Sequence, residues 1–223
     1  PVTDADKATE EALRKHLAIT RPTDGLVGEE FGNENKAAVR YWVIDPIDGT
    51  KNFMRGVPTW ATLIGLVERQ SDGSEKVIVG AVSAPALNRS WFASAGNGAF
   101  TSLSGGTPRR ISVSKVSEIE NASIAYSDFQ GWGDRLTKFH NLIATCTRSR
   151  GYGDFWSHML VAEGAVDIAA EPSLALWDMA ALDVIVREAG GTFSNLAGEI
   201  GPFGGNGIST NTLLHSTVMA ALN

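Results

Sequence analysis

The stretch that most restricts how this chain can fold runs from Tyr41 to Phe53. Tyr41-Trp42-Val43-Ile44 is an apolar, β-prone run that ends in a carboxylate, Asp45. Pro46 has no N–H to give a sheet ladder, so the strand is predicted to stop there. A second carboxylate, Asp48, follows, and Gly49-Thr50 opens a new turn. If 48–53 starts helically, the free N–H groups of Gly49 and Thr50 point at whatever the two carboxylates hold. A divalent cation between the acids and a phosphate oxygen reconciles those opposite preferences. Taken alone, the same residues also read as a plain hairpin, because Asp-Gly between apolar runs is a strong turn signal.

With 223 residues the chain can bury a sizeable core, as one large domain or two tightly packed halves. A net charge of −6, from 19 basic and 25 acidic residues, disfavours nucleic acid or an anionic membrane as the main partner. No apolar stretch reaches the ~20 residues needed to cross a bilayer, and no signal peptide is visible. One cysteine, Cys146, cannot form an internal disulfide, which fits a cytoplasmic location and a small hydrophobe's role. The chain starts at Pro1 without an initiator methionine, as a fragment or a trimmed form of a longer protein would.

A helix is expected from Thr3, with Asp6 completing its cap, to about residue 19, its apolar face formed by Ala8, Ala12, Leu13 and Leu17. Strands are expected over 26–30, 41–45, 59–68, 76–84, 89–93 and 98–101, with a polar loop over 33–37. Beyond residue 120 the pattern alternates. Strands over 122–126, 147–150, 166–170, 192–196 and 208–210 are interleaved with helices over 134–145, 154–163, 177–189 and one from 213. The reading is α+β joined to α/β, with halves at 1–120 and 121–223 in one compact unit.

Two further acidic features stand at element ends. Glu29 lies in Gly28-Glu29-Glu30-Phe31-Gly32, which alone reads as an exposed acidic loop. Asp178 lies in Trp177-Asp178-Met179-Ala180-Ala181, where it reads as a helix N-cap. His16, His140, His158 and His215 are scattered without zinc spacing, so the acids point to an oxygen-only site. Ser112-Val113-Ser114-Lys115 matches Ser-x-x-Lys, but no Lys-Thr-Gly follows; nucleotide-binding loops and serine elbows are also missing.

Gly28-Glu29-Glu30, the run from Asp45 to Phe53, Trp177-Asp178-Met179-Ala180-Ala181 and Glu188-Ala189-Gly190-Gly191 together resemble the inositol monophosphatase superfamily, over the whole chain. Within it, Arg55-Gly56-Val57-Pro58, Gly151-Tyr152-Gly153-Asp154-Phe155 and the segment from Val161 to Pro172 are most similar to bacterial histidinol-phosphate phosphatases. The resemblance implies a layered αβαβα sandwich and a homodimer. It also implies two Mg²⁺ ions, with a third more weakly held. Glu29, Asp45 and the Ile47 carbonyl would hold one ion; Asp45, Asp48 and Asp178 would hold the second. Asp6 would pair with Thr50 near the third, and Gly49 and Thr50 would offer N–H groups to phosphate. A water activated by metal and oriented by Thr50 with Asp6, or by Glu29, would hydrolyse a small phosphate ester. Histidinol phosphate is the expected substrate, with Asp154 and Glu171 meeting its cationic groups; inositol 1-phosphate or a sugar phosphate is the alternative. A non-catalytic phosphate- or metal-sensing module would have lost a ligand, and every matched acid is present. Four clustered carboxylates are expected to raise one another's pKa values until cations neutralise them.

Overall fold

The computed structural model describes residues 1–35 and 37–223; the part of the predicted loop at Lys36 lies outside them. Thr3 opens the first helix, α1 (Asp4–Thr20). Its Oγ1 accepts the Ala5 N–H at 3.2 Å, and Asp6 Oδ2 accepts the Thr3 N–H at 2.7 Å. The face that α1 buries differs from the predicted one. Ala8 and Ala12 are exposed and Leu13 and Leu17 half-buried, whereas Asp6 and Glu10 are buried completely. The surface beneath α1 includes a turn with free backbone N–H groups, so carboxylates fit it better than methyl groups do.

The first sheet has eight strands in the order β2-β1-β3-β4-β5-β6-β7-β8. They are β1 (Gly25–Gly28), β2 (Gly32–Glu34), β3 (Arg40–Asp48), β4 (Ala61–Arg69), β5 (Glu75–Ala84), β6 (Arg89–Ser94), β7 (Gly98–Leu103) and β8 (Arg109–Ile111). Among the described residues of this sheet, only β1 and β3 pair in parallel. Asn33 and Glu34, expected as loop, form with Gly32 the edge strand β2, and β8 at the opposite edge was not expected. Both are short and largely polar or charged, which suits a sheet edge and hides it from hydrophobic periodicity. Strand β3 does not stop at Pro46. It continues to Asp48 with a register break after Asp45, so the proline falls where no ladder donor is needed, and Thr62 Oγ1 donates to its carbonyl at 2.8 Å. Gly49 (φ 81°) then turns the chain into the short helix α2 (Thr50–Met54), a conformation open to glycine.

The second sheet has the order β10-β9-β11-β13-β12: β9 (Ser123–Ala125), β10 (Arg148–Arg150), β11 (Ile168–Glu171), β12 (Thr192–Ser194) and β13 (Gly207–Thr210). Four more helices complete the fold: α3 (Leu136–Thr145), α4 (Asp154–Ala162), α5 (Leu176–Glu188) and α6 (His215–Leu222). Helices α4 and α5 pack between the sheets, α3 and α6 cover the outer face of the second, and α1 lies on the far side of the first. The layers therefore run α-β-α-β-α, as the resemblance implied. Being covered from both sides, α5 is apolar nearly all round; Met179 to Val186 are all buried. It approaches the first sheet closely at Gly80, where a β-carbon would lie 2.5 Å from the Ala181 carbonyl oxygen. Among the described residues, no helix is long and apolar enough to cross a membrane.

Candidate active site

Three acids converge where β3 ends and α5 begins. One carboxylate oxygen from each of Asp45, Asp48 and Asp178 lies within 4.8 Å of the other two. Asp48 Oδ2 accepts the Phe155 N–H, in the first turn of α4, at 2.7 Å. Asp178 is not the N-cap of α5. It stands three residues after Ala175, whose N–H its Oδ2 accepts at 2.7 Å, and this bond fixes its carboxylate beside the cluster. Asp45 is 1% exposed and its Oδ1 has no hydrogen-bond partner. Glu29 follows β1 directly. Its N–H donates to the Ile44 carbonyl at 3.3 Å, and its carboxylate lies against that of Asp45.

All four acids are held above the usual carboxylate range. Burial is the larger cause in each case, ahead of the mutual repulsion expected from sequence. Glu29 is pushed up to about 7 by burial and then by Asp178. Asp45 is raised by burial, then by Asp48 and Glu29; Asp48 is raised by burial, then by Asp154 and Asp178. A buried carboxylate oxygen without a donor, inside a cluster of acids, carries a desolvation cost that a cation removes. An all-oxygen donor set suits a hard divalent ion, so the residues fit a metal.

The predicted catalytic pair is placed differently from expectation. Thr50 Oγ1 donates to the Ile47 carbonyl at 3.0 Å, and among the described residues Thr50 and Asp6 form no hydrogen bond. Asp6 gives Oδ2 to the cap of α1, while its buried Oδ1 has no partner and the side chain is close enough to raise the pKa of Glu29.

Gly49, Thr50 and Asp154 line one cleft of ≈ 750 Å³. Asp154, at φ 46°, has its N–H on Ser127 Oγ at 3.0 Å and accepts from Asn52 Nδ2 at 3.1 Å. Glu171, at the end of β11, is 4% exposed and stands behind Ser127, whose Oγ donates to its Oε1 at 2.8 Å. Burial, against the bond from Ser127, pushes Glu171 up to about 8 and also raises Asp154. Gly153 allows this approach, since a β-carbon there would fall 2.3 Å from Glu171 Oε1. Sequence reasoning missed Asn52 and Ser127. Asn52 also donates to the Thr59 carbonyl at 3.0 Å and so ties the β3–α2 turn to the second half of the chain. A polar residue next to an apolar one inside a matched motif was the only signal for Asn52; Ser127 had none.

A five-layer αβαβα sandwich with carboxylates gathered from a β-strand bulge and a helix start defines a metal-dependent phosphomonoesterase. The chain belongs to the inositol monophosphatase family, whose model matches residues 1–223. It is 53% identical over 225 residues to the histidinol-phosphatase of Mycobacterium tuberculosis, covering 100% of this chain and 85% of that protein. It is equally 53% identical to the histidinol-phosphatase of Streptomyces coelicolor, of which it covers 84%. Among solved structures, the extragenic suppressor protein suhB from Bartonella henselae matches with a TM-score of 0.87 at 31% identity, over 100% of this chain and 84% of that one.

Proposed function

We propose that this protein is an Mg²⁺-dependent phosphatase for histidinol phosphate. The observation that carries the substrate reading is a pair of acids, Asp154 and Glu171, that borders the Asp45–Asp48–Asp178 cluster without belonging to its three converging carboxylates. Glu171 is buried and Asp154 half-buried; both are raised, although Lys51 acts to lower Asp154 through space, and among the described residues neither forms an ion pair. Neutral Ser127 and Asn52 are their hydrogen-bond partners, which leaves room for a cation. The amine and imidazole of histidinol phosphate supply one, and a cation there would return both acids to the ionised form. The 53% identity to two histidinol-phosphatases supports the same choice.

Glu29, Asp45, Asp48, Asp178 and the Ile47 carbonyl would hold two Mg²⁺ ions, with a third near Asp6. When bound, these ions neutralise the acids, lower the pKa of a nucleophilic water and stabilise the departing alkoxide. Thr50 is too weak an acid to serve as a base at neutral pH. With its proton on the Ile47 carbonyl, its Oγ1 presents lone pairs that orient the attacking water, and Glu29 is the neighbouring carboxylate that can accept that water's proton. The N–H groups of Gly49 and Thr50 donate to the phosphate oxygens. Water oxygen bonds to phosphorus, the ester P–O bond breaks, and the leaving alkoxide takes a proton from solvent water to give histidinol. Residues 1–120 contribute Asp6, Glu29, Asp45, Asp48 and Thr50 to this site, and residues 121–223 contribute Asp154, Glu171 and Asp178. We also propose a cytoplasmic enzyme and, from the family resemblance, a homodimer, and light scattering on the purified protein would test the dimer.

Phosphate release from histidinol phosphate and from inositol 1-phosphate, in wild type and Glu171→Ala, tests the substrate assignment. A charge-assisted contact is worth ~1.5–3 kcal/mol, so histidinol phosphate turnover should fall roughly ten- to hundredfold more than inositol 1-phosphate turnover. An equal loss for both would remove the charge-pairing argument.

A further inference from the structure

Helix α1 buries two carboxylates where apolar side chains were expected, and the second has no place in the mechanism above. Glu10 has no exposed side-chain surface and ends on the turn that follows β1. Its Oε2 accepts the Glu30 N–H at 2.8 Å and its Oε1 the Phe31 N–H at 3.3 Å. Arg14, one turn further along α1, closes the arrangement. Its Nε donates to Glu10 Oε1 at 2.8 Å, its Nη2 to the Gly32 carbonyl at 2.5 Å and its Nη1 to Glu34 Oε1 at 2.6 Å. From the other side, the Ile44 carbonyl holds the Glu29 N–H at 3.3 Å.

The backbone of Glu29 is therefore pinned at its own N–H and at the three residues after it. Gly28 makes room for this. A β-carbon there would lie 1.9 Å from Glu10 Oε1 and 2.8 Å from Arg14 Nη2, while the backbone at Gly28 has no left-handed strain that would itself demand glycine. Burying an ion pair costs desolvation that plain apolar contact would avoid, so attaching α1 to the sheet does not explain it. What the pair adds is direction, because a carboxylate and a guanidinium fork fix successive backbone groups in one orientation.

We propose that Glu10 and Arg14 are positioning residues that clamp the 29–32 turn so that the Glu29 carboxylate faces Asp45, and that divalent-cation affinity depends on this clamp although it touches neither cation nor substrate. The proposal rests on the reading of Glu29 as a metal ligand. Its test is direct Mn²⁺ binding, followed by the electron paramagnetic resonance of free Mn²⁺, for wild type, Glu10→Gln, Glu29→Gln and the double variant. Thermal melts of the metal-free proteins accompany each titration.

Glu10→Gln keeps the side-chain shape but gives up the charge that faces Arg14. Groups that orient ligands typically contribute 10–100-fold to metal affinity, so a loss of about tenfold or more is expected. In the Glu29→Gln background the same change should add little, because the clamp acts through Glu29. Gly28→Ala, which alters no charge, should reproduce the loss by displacing the Glu10 carboxylate, and it carries the test if Glu10→Gln does not fold. Wild-type affinity in both Glu10→Gln and Gly28→Ala, or an undiminished second loss in the double variant, overturns the clamp and leaves Glu29 as a ligand. Unchanged Mn²⁺ binding in Glu29→Gln overturns the ligand reading and the clamp with it.

Discussion

Adding one methyl group at Gly80 should loosen the active site from the far side of a helix. Gly80 lies in β5 beneath α5, and a β-carbon there would stand 2.5 Å from both the Ala181 carbonyl oxygen and Val184 Cγ1. That is about 0.9 Å short of the 3.4 Å at which ordinary contact begins. The obstructing oxygen is backbone inside a packed helix and cannot swing aside, so α5 must move or β5 must bend. Replacing glycine with alanine in a strand would otherwise stabilise by ~0.4–1 kcal/mol, through lost freedom of the unfolded chain. Overpacking of a tight core costs ~1–3 kcal/mol and wins. With a net cost of ~0.5–2.5 kcal/mol, and ~2–4 °C per kcal/mol for a chain of this size, the melting midpoint of Gly80→Ala should fall by roughly 1–10 °C. Asp178 sits three residues before Ala181, on the turn that would be displaced, so Mn²⁺ affinity should fall too at temperatures well below the melt. Differential scanning calorimetry and Mn²⁺ titration read the two effects. A midpoint within 1 °C of wild type, with unchanged Mn²⁺ affinity, would show that close approach at Gly80 does not set the position of α5.

Asp45→Asn should lower phosphate release by more than about a hundredfold even in saturating Mg²⁺, beyond the 10–100-fold typical of groups that only orient a ligand. Near-normal turnover would refute its central role. Removing divalent ions with a chelator should lower the melting midpoint, and restoring Mg²⁺ to about 100 times its dissociation constant should return ~2.7 kcal/mol, or roughly 5–11 °C. His158 is fully buried, with Nδ1 2.6 Å from Ser209 Oγ and Nε2 without a partner; burial lowers its pKa to about 4. Because the unfolded chain takes up this proton near 6.5 and the folded one only near 4, His158 lowers stability as pH falls through that window, by ~3 kcal/mol. Denaturant midpoints of His158→Gln should therefore fall less steeply than those of wild type between pH 6.5 and 4; parallel curves would refute the assignment.

How far the sequence discloses this site depends on whether a residue's partners are near it in the chain. Asp45, Asp48 and Gly49 belong to one continuous motif, and the bulge that lets both acids face the cluster follows from Pro46 lacking an N–H, although the strand runs on past it. The cap of α1 was legible for the same reason, since Thr3 and Asp6 satisfy each other within one turn. The buried face of α1 was not. Helical periodicity identifies the side on which apolar residues recur, which is the buried side only when the opposing surface is apolar. Here that surface is a turn with unpaired N–H groups, and Glu10 answers it from 20 residues away. Asn52 and Asp154 are 102 residues apart, and nothing local in either requires the other.

The same distinction explains why the acids are so exposed to distant perturbation. Three of them reach the cluster from the ends of different elements: Glu29 after β1, Asp48 at the end of β3 and Asp178 in the first turn of α5, with Asp45 beside the register break of β3. Asp178 is held by the cap of its own helix, but Asp48 and Glu29 are oriented by other elements. Asp48 depends on an N–H from α4, and Asp178 on the N–H of Ala175. The Glu29 turn depends on a carboxylate from α1. A cluster assembled this way has a geometry set by packing between layers, so substitutions such as Gly80→Ala or Glu10→Gln, which touch no ligand atom, should act on metal affinity before they act on the fold.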